Sequence, residues 1–455
     1  MSIQNTLFDL VQGGLFLTTG ATEHEGHFKD GTWRNWTDSY RERPQAYLLP
    51  ADEAALVHDV RAAHKLRMVG GGHTFNDSPL SPQTMISLDA QNRVLAIDRA
   101  TRTARVQAGI RLRDLNTALW DHGLALPVLG STDAQSIAGL IATDLHGTGR
   151  DHGFLSEQVR SLRVIAADGN ARTVRAGDPL FHAVFGALGT CGVVTEVELS
   201  LVDAFHIEKT TQMVDRAETE ANIEALLAAN EHVSFYYVGG GSHSESMRMH
   251  CWNRTTAALT GNWQKLKAHA ELSDFAISAF VPKAAELIAQ IDEDSTLSNA
   301  LAPDHRLVMP SSQGFGRKLF YRHDEIEYGV PHAAWRQVVG EIIELLARRN
   351  FFSIVEVRFT PDRSAALLGP GVGRRTAYIE LATPLSQDTS AVYAATEEIF
   401  RAHQGQPHLG KKTSFTAREM AQTYGERFTK FQAVRTAQDP GGKFQNAFTT
   451  RIFGG

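Results

Sequence analysis

The sequence predicts an α+β protein of two domains, and three observations carry that prediction. At 455 residues and 42% apolar, the chain is too long for one ordinary core and apolar enough to fill two. Before residue 205, glycine-rich turns at 70–72, 130–149 and 189–192 each adjoin a short strand, which brings bare backbone up to an extended ligand. From about Phe205 the texture changes to mixed strands and amphipathic helices, among them Thr219 to Asn230, Lys283 to Ile291 and Ala333 to Arg348, the pattern of a second domain with its own layers.

The first domain reads as short pieces in sequence. Trp33-Arg34-Asn35-Trp36 sets two aromatics around an amide, and Pro44 to Pro50 is extended. Asp52 and Glu53 open a helix that the spacing Ala55, Val57, Val60, Ala63 carries to His64. Leu66 to Val69 is a strand, and Gly70-Gly71-Gly72-His73-Thr74 follows it. Three glycines in a row suit positive φ and a nest of amides open to an anion, although a plain turn with a surface histidine explains this segment equally well when it stands alone. Strands follow at Met85 to Leu88, Val94 to Asp98 and Thr103 to Ala108, then a helix from Leu112 to His122 closed by Gly123.

The second glycine region runs Gly130-Ser131-Thr132, Ser136-Ile137-Ala138-Gly139-Leu140-Ile141-Ala142-Thr143 and His146-Gly147-Thr148-Gly149. Small and hydroxyl side chains suit close backbone packing against a flat or anionic ligand. Gly147 and Gly149 begin like a dinucleotide fingerprint, but the third glycine, Gly153, comes one residue late and no clean strand precedes it. Val159 to Ala166 and Ala171 to Val174 form a hairpin around Asp168-Gly169, Asp178 to Phe185 is a short helix, and Gly192 runs into the alternating strand Val193 to Leu199.

A net charge of −6, with no basic run interleaved with aromatics, argues against a nucleic-acid partner. Two cysteines are too few for a disulfide framework, and no stretch reaches the length of a membrane span. The start lacks a signal-peptide pattern, so the expected location is cytoplasmic. His243, Glu245 and His250 stand at no recognised metal spacing, and no metal is expected. Tyr236, Tyr237, Trp252 and Trp263 read as core aromatics. In Phe351 to Phe359, Glu356 and Arg358 stand two apart and share a face of a strand. Alone they read as a surface ion pair, but the apolar Ile354, Val355, Val357 and Phe359 imply burial, where charges need partners or a task.

Together these residues resemble the FAD-linked oxidoreductases of the vanillyl-alcohol-oxidase type, and within them the sugar-lactone and alditol oxidases. The similarity rests on Trp33-x-Asn35-Trp36, Gly70-Gly71-Gly72-His73, Gly109-Ile110-x-Leu112-x-Asp114-Leu115, His122-Gly123-Leu124-Ala125-Leu126 and Gly139. It continues through His146-Gly147-Thr148-Gly149, Gly189, Gly192-Val193-Val194, Val355-Glu356-Val357-Arg358, Pro407-His408-x-Gly410-Lys411 and Asp439-Pro440-x-Gly442-x-Phe444, and is weak only over about 206–320. The resemblance implies an FAD domain over 1–204, a sheet-plus-helices substrate or cap domain over 205–404, and a C-terminal segment, 405–455, that returns to the FAD domain; its last stretch, Asp439 to Phe453, reads as turn-rich and ends apolar. It implies FAD attached covalently through His73. The cofactor residues implied are Gly70, Gly71, Gly72, His73, Thr74, Gly130, Ser131, Ser136, Gly139, Ala142, Thr143, His146 and His408, with Gly192 and Val194 near the adenine. Glu356, Arg358 and Lys411 are implied as the substrate-handling, catalytic groups.

The chemistry implied is hydride transfer from an alcohol of a sugar-1,4-lactone or related polyol to flavin, with electrons passed to dioxygen as peroxide or to another acceptor. Gly130 stands beside the reactive flavin edge in similar enzymes, and a missing β-carbon there favours dioxygen. A dehydrogenase using a quinone or cytochrome, an alditol oxidase, and a flavin or lactone binder without turnover stay open. Glu380 stands where alditol oxidases offer a histidine and Leu409 where the family offers a tryptophan; Glu327-Tyr328-x-Val330-Pro331 reads as structural.

Overall fold

The computed structural model describes residues 25–239, 246–260, 305–315 and 322–455. Alternating apolar residues in Val159–Ile165, Val193–Ser200 and Thr103–Gln107 build the centre of a five-stranded antiparallel sheet, completed by Ala171–Val174 and Val94–Asp98 at its edges. Beside it, Ala46–Leu48, Thr84–Ser87 and Leu66–Val69 form a parallel three-stranded sheet. Helix Glu53–Ala62 connects two of those strands; the Asp52 side chain caps it by accepting from the Ala55 N–H, and Leu56 and Val60 are its buried residues.

The Gly70–Gly72 turn leaves the end of Leu66–Val69 and meets the second glycine region directly. A β-carbon on Gly70 would stand 2.3 Å from Ser136 Oγ, and one on Gly71 2.4 Å from the Ala134 carbonyl. Two backbones this close leave no room for side chains, which is the physical reason for the glycines. Ser136 to Thr143 is less loop-like than the sequence suggests: Ile137–Ala142 is a helix whose Ser136 cap accepts from the Gly139 N–H.

The second large sheet has eight strands, all paired antiparallel, in the order His305–Pro310, His206–Asp215, Ser246–Thr255, His232–Gly239, Ser353–Thr360, Thr376–Pro384, His323–Pro331 and Gln406–Pro407. Its central strands are buried on both faces. Val355, Val357, Phe359, Ile379 and Leu381 point to the side covered by helices Trp335–Arg348 and Ser390–Ala402. The alternate positions carry Glu325, Glu327, Glu356, Arg358, Tyr378 and Glu380, equally buried, on the opposite face.

Two expectations about elements need correction. Thr219 to Asn230 is not one helix, because Asn222 divides Arg216–Ala221 from Ile223–Ala229. The C-terminal stretch is not simply turn-rich: helices Ala417–Tyr424 and Glu426–Gln438 precede it, and Asn446 caps a last helix, Ala447–Phe453. Lys283 to Ile291, Trp263, His243 and Glu245 lie outside the described residues. Among the described residues no helix is long and apolar enough to cross a membrane.

The loop 361–375 ties the two sheet systems together. Ser364 Oγ donates to Asp144 Oδ2 at 2.6 Å, His182 Nδ1 lies 2.7 Å from the Ala365 carbonyl, and Tyr424 donates to the Gly369 carbonyl at 2.9 Å. Burial pushes the Asp144 carboxyl up to about 7, against hydrogen bonds from Ser364 and Ser156. The folded chain therefore holds a proton there that the unfolded chain releases near 4, and the stability this group contributes falls as pH rises through that window. Asparagine cannot ionise, keeps an acceptor for Ser364, and tolerates the φ of +51° at this position. Asp144→Asn is expected to melt about 3 °C above the unaltered chain at pH 8, with the gap shrinking through pH 5 and closing near pH 3, as calorimetry across that range checks.

Candidate active site

Two adjoining clefts, one larger than the other, run along the line where the glycine turns meet. They share Val69, Gly70, Ser136, Gly139 and Ala142, so they form one elongated channel. Its smaller end is apolar and walled by small residues, including Ala138, Gly189, Gly192 and Val194. Its larger end holds Gly71, Gly72, His73 and Thr74 on one wall, and Gly130, Ser131, Thr143 and His146 on another. His408, Lys411 and Arg358 reach the same end from the second sheet and the segment after it. Every cofactor residue read from the sequence thus lines this channel.

The channel fits an FAD molecule on its own features. Gly70, Gly71 and Gly139 line it with bare backbone, and their missing side chains let the glycine turn pack against Ser136 and Ala134. Thr74 Oγ1 and the Gln135 side-chain oxygen are buried without a hydrogen-bond partner among the described residues, and both residues line the larger end; a bound polar ligand would satisfy them. The His73 ring stacks on Trp36, centroids 5.4 Å apart and planes 13° apart, and Trp36 in turn meets the edge of His323. The Trp33-x-Asn35-Trp36 segment is therefore the wall that fixes the His73 ring.

The second sheet carries a row of three glutamates, one of which, Glu327, lines the larger end. Glu356 stands opposite Glu380, and Glu380 opposite Glu327, on three neighbouring strands. All three are at most 4% exposed. Like charges directly opposite repel, and Arg358 is what holds them together. Its NH2 donates to Glu327 Oε1 at 2.8 Å and to Glu380 Oε2 at 2.7 Å, and its Nε lies 3.6 Å from Glu356 Oε1. Tyr236 donates to Glu356 at 2.7 Å. Lys411 pairs with Glu325 and lies 3.5 Å from Glu380, while Glu325 accepts from His323 at 2.6 Å.

Lys411 is placed by backbone. The Asn76 amide donates to the carbonyls of Leu409 and Lys411, both at 2.8 Å, and the Phe75 N–H donates to Gly410. The segment after the glycine turn thus clamps the 408–411 loop, and Leu409 points into the core, 1% exposed. Lys411 also stands over the Phe75 ring at 4.8 Å.

Two sequence readings change here. Glu356 shares the face of Arg358 but does not line the channel; Arg358 and Tyr236 stand against it. Glu327, read as structural, does line the channel, and Glu325 and Glu380 complete the carboxylate set. Burial opposes the Glu327 charge, but Arg358 and His146 outweigh it and hold this carboxyl well below the usual carboxylate range. His146 Nε2 lies 3.1 Å from Glu327, and Tyr378 stacks on its ring at 3.6 Å.

His146, Glu327 and His408 bring three ligand-type atoms within 4.8 Å of one another. The local chemistry opposes a cation there. Arg358 already occupies Glu327 Oε1, and the Gly410 N–H donates to His408 Nδ1 at 3.1 Å. Burial pushes His408 down to about 4 despite Glu327, so the ring is neutral and, with Nδ1 accepting from Gly410, carries its one hydrogen on Nε2, which leaves neither nitrogen bare for a cation. His250 is engaged elsewhere, with Nδ1 2.8 Å from Thr211 Oγ1.

Comparison with known proteins agrees with this geometry. Residues 44–175 match the model of an FAD-binding domain, and residues 197–452 match the model of D-arabinono-1,4-lactone oxidase. The chain is 29% identical over 429 residues to an L-gulono-1,4-lactone dehydrogenase of Mycobacterium tuberculosis, covering 93% of this chain and 99% of that one. It is 26% identical to the L-gulonolactone oxidase of Mus musculus, covering 94% and 99%. The crystal structure of a cholesterol oxidase from B. sterolicum superposes with a TM-score of 0.75 at 15% identity, over 94% of this chain and 97% of that one, and shows the shared two-domain fold. The second match takes in more than half of the sequence, including every acidic residue of the site and Lys411, and the chain belongs to the D-arabinono-1,4-lactone oxidase family of FAD-dependent oxidoreductases.

Proposed function

We propose that the chain oxidises a hydroxyl-bearing carbon of a sugar-1,4-lactone in this channel, that dioxygen takes the electrons with release of hydrogen peroxide, and that FAD is joined to His73. The observation that carries the substrate reading is Glu327, Arg358 and Lys411 on the wall of the larger cleft that also holds the glycine turn, with Glu380 and Glu356 completing a buried row that Arg358 bridges. When bound, FAD supplies the hydride acceptor. A polyhydroxyl substrate needs acceptors for its O–H groups and donors for its carbonyl and ring oxygens, and the row supplies the first while Arg358 and Lys411 supply the second. Glu327, held ionised at the channel wall, anchors a substrate hydroxyl. The hydroxyl proton passes to the carboxylates of the row as the carbon is oxidised. A cytoplasmic setting fits the two cysteines, both buried and free.

Glu356→Gln keeps an acceptor for Tyr236 and removes one negative charge from the row. The expected result is a kcat on gulono- or galactono-1,4-lactone at least about tenfold lower, with the bound-flavin spectrum unchanged. Unaltered kcat would remove Glu356 from the reaction.

A dehydrogenase reading is favoured by one observation. The space beside the Gly130 Cα is taken, because a β-carbon there would stand 2.7 Å from Leu145 Cδ1. Oxygen uptake and peroxide yield per lactone consumed separate the two. One peroxide per lactone supports the oxidase, whereas turnover only with a dye or quinone makes the chain a dehydrogenase.

A further inference from the structure

Arg67 is a buried cation that the reaction described above does not use. It sits in Leu66–Val69, three residues before the glycine turn, is 4% exposed, and lines the larger cleft. Its Nε donates to the Ser78 carbonyl at 2.7 Å, and its terminal nitrogens donate to the carbonyls of Leu188, at 2.5 Å, and Phe444. Among the described residues no carboxylate is paired with it. Asp439 acts on it only from a distance, and accepts instead from the amides of Lys443 and Phe444. Arg358 and Lys411, the other arginine and lysine of that cleft, each already hold glutamates.

A charge taken out of water without a counter-charge is costly, and three carbonyls offset it only in part. Burial accordingly pulls the Arg67 guanidinium down to about 10, with Asp439 opposing. A guanidinium has five N–H groups, and three are used. The cleft it faces is the one in which we place FAD, and the anionic part of FAD is its diphosphate. Ser78, Leu188 and Gly70 line that cleft around it.

We propose that Arg67 is the counter-charge of the FAD diphosphate and, through Phe444, couples cofactor binding to the docking of the C-terminal segment. The inference rests on the placement of FAD in this cleft, and its test separates the two. In a His73→Ala chain, where flavin binds reversibly, dissociation constants for FAD and for riboflavin, which has no phosphate, are measured by flavin fluorescence. Arg67→Gln keeps amide donors for the carbonyls but no charge, and is expected to weaken FAD binding about 100-fold and riboflavin binding less than about 3-fold. Arg67→Lys keeps the charge and is expected to retain most of the preference for FAD. Equal losses for both flavins, or a greater loss of FAD preference in the lysine variant than in the glutamine one, would reduce Arg67 to a structural tie and overturn the proposal.

Hydrogen exchange on the His73→Ala chain tests it without altering Arg67. ADP, which carries the diphosphate but no flavin, is expected to protect the amides around 66–70, 188 and 444 more than adenosine does; equal protection sinks the idea. Ala142→Phe, which fills the channel where its two ends meet, should abolish binding of both flavins. If FAD still binds to that variant, the placement of the cofactor fails, whatever Arg67 does.

Discussion

Arg358→Met is expected to lower kcat/KM by about 1000-fold or more and to make the chain less stable in a pH-dependent way. The guanidinium is the only group that touches Glu327, Glu380 and Glu356 together among the described residues. Without it, three carboxylates stand side by side on adjacent strands in a buried site. Breaking a buried ion pair by removing one partner costs about 3–5 kcal/mol, mainly because the remaining charge loses its compensation, and here three carboxylates lose the same partner, with Lys411 left beside Glu380, His146 beside Glu327 and Tyr236 beside Glu356. The sign with pH follows from Glu327. Its folded value lies below the unfolded one, so the stability it contributes is present above the ordinary carboxylate value and is lost as pH falls. In the variant that contribution disappears. The gap in melting temperature between the two chains should therefore be level from about pH 5 to 8 and narrow as pH falls below about 4.5. Arg358→Lys keeps a charge that reaches one carboxylate well and should fall between them. If Arg358→Met turns over within tenfold of the unaltered chain, the substrate face lies elsewhere.

That site was half legible before any coordinates. The glycine turns announce themselves because nothing else fits where Gly70 and Gly71 face Ser136 and Ala134, and a sequence shows the absence of a side chain as plainly as its presence. Glu356 and Arg358 stood out because apolar neighbours on both sides imply burial. Glu327 did not, since the acids of 323–328 alternate with Ile326 and Tyr328 and read as one wet edge of a strand. What brings Glu327 into the carboxylate row is its register opposite Glu380, and cross-strand register between residues 53 positions apart leaves no trace in local pattern.

The last helices show the opposite case, a signal that was present and went unread. Thr416 and Glu419 form a capping box at the start of Ala417–Tyr424. Arg67 lies between the two cases. An arginine in a four-residue strand carries no mark of its three carbonyl partners, which come from positions 78, 188 and 444.

His73→Ala should change the flavin from bound through denaturation to wholly released. The physical case begins with orientation. The His73 ring lies in the channel wall, nearly parallel to the Trp36 ring, and Trp36 is 2% exposed and boxed by Phe75 and His323. A ring held this way loses little freedom on forming a bond, and an imidazole nitrogen is a competent nucleophile toward the electron-poor methyl position of a flavin seated beside it; forming the C–N bond would cost the methyl group a proton and leave two electrons on the flavin ring, which dioxygen would then remove. Alanine removes the nucleophile and leaves the glycine floor and its amides intact, so the variant should fold and still bind FAD reversibly. Acid precipitation followed by the visible spectrum and intact mass decides it. The unaltered chain is expected to give a yellow pellet heavier by one FAD, and the variant a colourless pellet under a yellow supernatant. A yellow pellet from the variant would move the bond to another residue. Release of flavin from both chains would leave His73 as a wall of the site and nothing more, while the channel, the glutamate row and their chemistry would stand unchanged, because none of them depends on how the cofactor is tethered.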